Sequence, residues 1–279
     1  MKRIFDSGKL KKFENYLKNE ERSEATIEKY MRDIRFFAEF AGDAEITKEV
    51  ILGYKSKLRE SYAVSSANSM IAALNSFFRF CGWHELCVKQ FKVQRQIYCP
   101  EEKELTRAEY VRLLDAANRR QNKRLNLIIQ TICGTGIRVS ELQYITVEAV
   151  KSGEAAANCK GKNRRIFIVS ELKKKLLHYI KERGIVSGAV FVTKRGKPIS
   201  RITVWKEMKA LCQSANVSPR KVFPHNLRHL FARTFYGIEK DIAKLADILG
   251  HSSINTTRIY IVTSGAENRR KMENMRLII

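Results

Sequence analysis

The sequence predicts a mainly α protein (α+β overall), with an N-terminal helical domain followed by a mixed helical domain holding a small antiparallel sheet. Three observations carry this. Apolar residues recur at three- and four-residue steps through nearly all of 10–83, and segments of strand character are confined mainly to 144–169. Between the two patterns lies KQFKVQRQIYCPEEKE, 89–104, which is polar and has no period. The expected boundaries are therefore a helical domain at 1–88, a linker at 89–104 and a second domain at 105–279.

The first domain reads as a compact bundle. Ile27, Tyr30, Met31, Ile34, Phe37 and Phe40 form one helical stripe that ends at Gly42, with Ser23 and Thr26 as start signals. Met70, Ile71, Leu74, Phe77, Phe78 and Phe80 form a second that ends at Gly82. In the second domain Thr106 and Glu109 make a capping-box signature. The apolar run Leu125 to Cys133 then stops at Gly134-Thr135-Gly136. Strand character follows at Tyr144 to Val150, Glu154 to Asn158 and Arg165 to Val169, with a Lys/Arg-rich turn between the last two. From Ser170 onward the pattern is mostly helical, with one short apolar segment at Ala189 to Val192, and no internal repeat is present.

Of 279 residues, 53 are Lys or Arg and 29 Asp or Glu, a formal net charge of +24. With 44% hydrophobic residues the chain can fold, so the charge does not signal disorder. It points to a polyanionic partner, nucleic acid above all, with a merely solvated basic surface as the plainer alternative. Six scattered cysteines (Cys81, Cys87, Cys99, Cys133, Cys159, Cys212) show no CxxC spacing, which argues against a disulfide framework and a zinc site. No apolar run reaches membrane-spanning length, and MKRIFDSGKL turns charged too soon for a signal peptide. A cytoplasmic protein is expected.

Four places carry chemistry. In GTGIRVSEL, Arg138 follows two glycines at the head of a new helical segment, with Glu141 one turn on to hold its guanidinium. A surface ion pair is the plain alternative. In CKGKNRR, 159–165, a cation at a hairpin tip can reach a phosphate or donate a proton, unless the turn is merely solvated. In PHNLRHLFA, Pro224 fits a first helical turn and puts His225 and Arg228 on one face. An Arg and a His so placed suit a phosphodiester, and His229 is expected to point elsewhere, as a packed or surface residue. In ILGHSSINTTRIY, Gly250 ends one helix, His251 follows, and Ser252 or Ser253 caps the next, which is expected to carry Tyr260 near its far end. A buried core tyrosine is the alternative there.

The order Arg, hairpin Lys, His-x-x-Arg, Gly-His, then Tyr nine residues later closely resembles the tyrosine recombinase (Xer and phage-integrase) family. GTGIRVSEL, HNLRH and LGHSSINTTRIY look like its three boxes, and CKGKNRR is similar to its GKGxKxR segment, which places the hairpin lysine at Lys160. ATIEKYMRDIRFFAEF resembles the family's helical DNA-clamping, core-binding domain. The likeness covers about residues 10 to 265. Two departures stand out: Cys159 replaces a usual Gly, and Ile-Val follows Tyr260.

The resemblance implies a site-specific DNA recombinase or integrase with a 3′-phosphotyrosyl intermediate and no need for metal, ATP or other cofactor. Tyr260 would be the nucleophile. A phenol with an ordinary pKa of about 10 needs a base at neutral pH, and His225 would supply it. Arg138, Arg228 and His251 would hold the scissile phosphate, and Lys160 would protonate the leaving oxygen. The implied partners are double-stranded DNA and further copies of the chain, four on two DNA sites, with room for a partner recombinase. The tail GAENRRKMENMRLII reads as an amphipathic helix with Met272, Met275 and Leu277 on one side, which in the family docks on a neighbouring protomer. Only about ten residues precede the helical domain, so no arm-binding domain is expected ahead of it. Two rival readings share the fold: a catalytically idle DNA-binding protein, and a topoisomerase-like strand transferase working without synapsis.

Overall fold

A computed structural model describes residues 3–42, 44–93, 104–159, 162–193, 195–260 and 265–275. The chain divides into two compact units, Met1–Arg95 and Gln96–Ile279, each with its own core.

The first unit contains α1 (Ser7–Asn19), α2 (Glu24–Ala41), α3 (Lys48–Ser61) and α4 (Val64–Phe80). The apolar stripes do what their spacing requires. Ile27, Met31, Ile34 and Phe37 of α2 and Ile71, Leu74, Phe77 and Phe78 of α4 are buried, while Tyr30, Phe40, Met70 and Phe80 pack at the margin. Aromatic rings dominate: Phe37 meets Tyr54 edge-on at 4.8 Å, and Phe13 meets Phe77 edge-on at 5.3 Å. Each such side chain removed from water contributes about 1.5–3 kcal/mol. Asn75 ties the chain after α4 to the bundle. Its Nδ2 donates to Val88 O at 2.8 Å, and its Oδ1 accepts from Val88 N at 3.0 Å.

The second unit begins at Gln96, within the expected linker 89–104, of which residues 94–103 lie outside the described ones. It contains α5 (Arg107–Arg119), α6 (Lys123–Thr135), a 3₁₀ helix (Val139–Tyr144), α7 (Val147–Ser152), strands β1 (Glu154–Cys159) and β2 (Lys162–Phe167), then α8 (Ser170–Glu182) and α9 (Arg201–Ala215). It ends with α10 (Pro224–Glu239), α11 (Ile242–Leu249), α12 (Ile254–Arg258) and α13 (Gly265–Asn274). The capping box of α5 forms as its sequence requires, with Thr106 Oγ1 accepting from Glu109 N at 3.1 Å and Glu109 Oε2 accepting from Thr106 N at 2.8 Å. The two strands pair antiparallel from Glu154 opposite Phe167 to Cys159 opposite Lys162.

Two local expectations need correction. Residues 147–152 form α7 rather than a strand. Thr146 accepts from Ala149 N as an N-cap, Gly153 closes the C-terminus at φ +89°, and the β-branched Val147 and Val150 fall three apart on the buried side. The second strand starts at Lys162, three residues earlier than Arg165, because pairing with β1 sets its register. Ala189 and Val192 make only single bridges, to Thr146 and Pro198.

A large core joins α5 through α9. A second, small cluster of Ala232, Leu245, Leu249 and Tyr260 lies among α10, α11 and α12. Met272 and Met275 of the tail are exposed, and Leu277 lies outside the described residues. Among the described residues no helix is long and apolar enough to cross a membrane. Cys81, Cys87, Cys133 and Cys212 are free thiols.

Candidate active site

The site grows from four chain breaks. Gly136, at φ +64°, ends α6 and turns the backbone so that Arg138 heads the 3₁₀ helix. Glu141, 1% exposed, then grips Arg138 twice: Oε2 accepts the backbone N–H at 2.8 Å, and Oε1 accepts from Nη1 at 2.9 Å. The same Oε2 also accepts from Arg164 Nη1 of β2 at 2.9 Å. The Arg138–Glu141 pair is readable from sequence, but Arg164 is not, because only the strand register brings it there.

Pro224 occupies the first turn of α10, and His225 and Arg228 line one cleft with Arg138. The cleft measures about 700 Å³, and Ile202, Trp205 and Phe223 form its apolar wall. Arg228 is 1% exposed, the largest fully buried side chain among the described residues. Its Nη1 donates to Gly136 O at 2.7 Å and its Nη2 to Leu249 O at 2.8 Å. Both carbonyls lie at helix C-terminal ends, where the backbone dipole favours a cation. Burial and then Arg138 pull its pKa down, while Tyr260 and Glu141 favour its charged form.

Gly250, at φ +65°, ends α11 and delivers His251. Arg228 Nη2 and His251 Nε2 lie 2.8 Å apart. A guanidinium only donates, so Nε2 accepts and the ring proton sits on Nδ1, facing Thr257 Oγ1 at 2.9 Å. Burial first, then Arg228, Arg138 and Arg164, lower the His251 pKa to about 4, so the ring is neutral at pH 7. Thr257, fully buried, is a partner that sequence spacing alone does not reveal.

Ser253 caps α12, but that helix ends at Arg258, so Tyr260 lies two residues beyond it rather than within it. Tyr260 is 4% exposed, and its Oη is 3.5 Å from His225 Nε2. Its ring stacks on His251 at 5.5 Å and 15° and lies 4.6 Å from the His229 ring. His229 was expected to point elsewhere. Instead the turn after α12 folds Tyr260 back onto α10, against residues 225 and 229, one helical turn apart. Burial, Arg228 and Arg138 lower the His225 pKa, and burial with His225 takes His229 down to about 4.

Arg138, His225, Arg228, His251 and Tyr260 thus form one cluster. Lys160 lies outside the described residues; β1 ends just before it, at Cys159. Among the described residues no group of three or more His, Cys, Asp or Glu side chains could hold a metal ion. What the cluster offers chemically is three guanidiniums around one carboxylate, a surplus of positive charge, beside neutral imidazoles and a phenol. That set suits a phosphodiester: cations for the non-bridging oxygens, a nucleophile, and a base beside it.

Comparison with known proteins agrees with this chemistry. Residues 103–266 match the phage integrase family, and residues 10–85 match the phage integrase N-terminal SAM-like domain. The chain is 30% identical to the tyrosine recombinase XerA of Pyrococcus furiosus, over 96% of this chain and 94% of that one. With XerA of Pyrococcus horikoshii the identity is 32% over 99% and 96%. The crystal structure of XerA recombinase overlays with a TM-score of 0.55 at 26% identity, covering 98% of this chain and 99% of that one. A lambda integrase (75–356) dimer bound to a COC′ core site shares the fold, with a TM-score of 0.75 at 20% identity over 91% and 94%. With a family match across the whole candidate site and relatives of this identity along nearly the full chain, the protein belongs to the phage integrase family of tyrosine recombinases.

Proposed function

We propose that this protein cuts and rejoins DNA at specific sites by metal- and ATP-independent transesterification through Tyr260. The observation that carries the reading is the Tyr260 hydroxyl 3.5 Å from a neutral-leaning His225, within a cluster that also holds Arg138, Arg228 and His251. Tyr260 Oη attacks the scissile phosphorus, and a P–Oη bond forms as the P–O5′ bond breaks, leaving a 3′-phosphotyrosyl link and a 5′-hydroxyl. His225 takes the phenolic proton, and Lys160 returns a proton to the departing O5′. Arg138 and Arg228 carry the charge that develops on the non-bridging oxygens. An entering phosphate competes with His251 for the Arg228 hydrogen, and His251, taking up a proton there, becomes a further donor to it. Attack by a 5′-hydroxyl of a second duplex reverses the step, so phosphoester bond energy is kept.

Residues 1–88 serve as the DNA-clamping domain, 89–104 as the linker and 105–279 as the catalytic domain. The working assembly is four protomers on two DNA sites. A relative's structure supports this: the lambda integrase tetramer was solved bound to a Holliday junction.

The test is covalent trapping. The protein is mixed with nicked duplexes drawn from the DNA flanking its own coding sequence, denatured in detergent and inspected for protein-bound DNA, with and without chelator. A 3′ adduct that forms in chelator and disappears in Tyr260→Phe supports the mechanism. An adduct that survives the substitution refutes Tyr260 as nucleophile. Tight binding with no adduct on any substrate favours an idle DNA-binding protein.

A further inference from the structure

Arg164 takes no step in the mechanism above, yet it touches two of the residues that frame it, Glu141 and Gly250. It lies on β2, four residues after Lys160, on the buried strand face shared with Ile166 and Ile168. Its side chain is 7% exposed, and its Nη1 donates to Glu141 Oε2, the carboxylate that holds Arg138 by both backbone and side chain. One buried carboxylate therefore ties the strand after Lys160 to Arg138. The aliphatic stem of Arg164 lies against the next piece. A Cβ on Gly250 would sit 2.6 Å from Arg164 Cδ, so the bare backbone before His251 is what lets Arg164 lie there.

The energetics argue for geometry over stability. Nε and Nη2 of Arg164 are buried with no hydrogen-bond partner among the described residues. Burial lowers its pKa to about 10, against the pull of Glu141, so it stays charged at pH 7. A buried ion pair is a weak stabiliser, since an apolar pair of the same volume does as well or better. What it supplies is a fixed arrangement. A guanidinium between Glu141 and Gly250 sets the distance from β2 to Arg138 and from β2 to the His251 turn.

We propose that Arg164 is a positioning residue for strand transfer: through Glu141 it orders the Arg138 guanidinium, and by lying against Gly250 it sets the His251 turn relative to it. The proposal rests on the reading of the site given above. Arg164 acts through its neighbours and makes no contact with DNA.

The experiment compares full-length wild type, Arg164→Met, Arg164→Lys, Glu141→Gln and the Arg164→Met/Glu141→Gln pair, with Lys174→Met on the exposed side of α8 as control. The first readout needs no DNA. ¹⁵N NMR of the Arg138 guanidinium, assigned with Arg138→Lys, should show slow Nη rotation in wild type and averaged signals in Arg164→Met. The second is single-turnover adduct formation on the nicked duplexes, beside duplex affinity. Arg164→Met should slow the adduct by about ten- to a hundredfold, the scale of a misplaced reacting group, with affinity nearly unchanged and Lys174→Met like wild type. The double variant should lose less than the product of the two single losses, because both substitutions break the same Glu141 route to Arg138. Arg164→Lys, which keeps the charge but loses the fork, should recover part of the rate, and it carries the comparison if Arg164→Met does not fold. Unchanged Arg138 signals in Arg164→Met, or a double-variant loss equal to the product of the single losses, overturns the proposal. Absence of any adduct in wild type refutes the phosphotyrosyl reading instead, and the Arg138 signals then decide whether Arg164 orders this site.

Discussion

Replacing Gly136 by Ala tests the backbone that presents the phosphate-binding arginines. Gly136 sits at φ +64°, and a Cβ there would lie 2.4 Å from Phe231 Cδ1 and 2.6 Å from Cε1. The left-handed conformation costs a residue with a Cβ roughly 1–2 kcal/mol, and overpacking a ring adds about 1–3 kcal/mol. The expected loss is therefore about 2–5 kcal/mol, toward the lower end because Phe231 is only partly buried. The two tryptophans make it measurable, since Trp83 lies in the first unit and Trp205 in the second. In a Trp83→Phe background, urea unfolding followed by Trp205 fluorescence reports the unit that carries the substitution. With Phe231→Ala added, the overpacking part disappears, leaving roughly the 1–2 kcal/mol conformational cost. Adduct formation should also slow, because Gly136 O accepts from Arg228 Nη1 at 2.7 Å. A loss below about 1 kcal/mol, or the same loss with and without the Phe231 ring, refutes the reasoning.

Other perturbations follow from the same geometry. Asn75→Ala leaves Val88 N–H and C=O buried without their partners; the first unit, read by Trp83, should lose about 2–4 kcal/mol, and an unchanged urea midpoint would contradict it. His229 and His251 have folded pKa values of about 4 against 6.5 when free. Both are depressed, so their contribution to stability is full above pH 6.5 and is lost as pH falls toward 4; the melting temperature should drop across that window, and less so in a His229→Phe variant. The His225 pKa is likewise lowered from 6.5, so the fall of single-turnover adduct formation with acid should have its midpoint below pH 6.5, and a midpoint above pH 7 argues against His225 as the base. If the +24 chain neutralises about six to ten phosphates, DNA affinity should fall roughly 10³- to 10⁵-fold between 50 and 200 mM salt; a flat salt response would refute backbone-led binding.

What the sequence determined by itself is whatever depends on neighbours in the chain. The helical stripes of α2 and α4, the Thr106–Glu109 capping box, Pro224 at the start of α10 and the glycine stops at 136 and 250 are all local, because periodicity, caps and backbone freedom act within one or two turns. Local order made Arg138, His225, Arg228, His251 and Tyr260 candidates with a plain alternative beside several of them, and the order of the segments along the chain, through the family resemblance, picked them out together with Lys160. The tertiary structure decided what depends on which faces meet. Tyr144 to Val150 reads as a strand by its β-branched residues, yet from Val147 on it is a helix because the Thr146 cap and burial of Val147 and Val150 outweigh that weak preference. Arg164 reaches Glu141 only through the β1–β2 register. His229 reaches Tyr260 only because α12 stops at Arg258 and the chain folds Tyr260 back onto α10, while Thr257 reaches His251 from within α12. These long-range pairings set which side chains are buried together, and burial beside other cations is what makes the histidines neutral and the site ready for an anion.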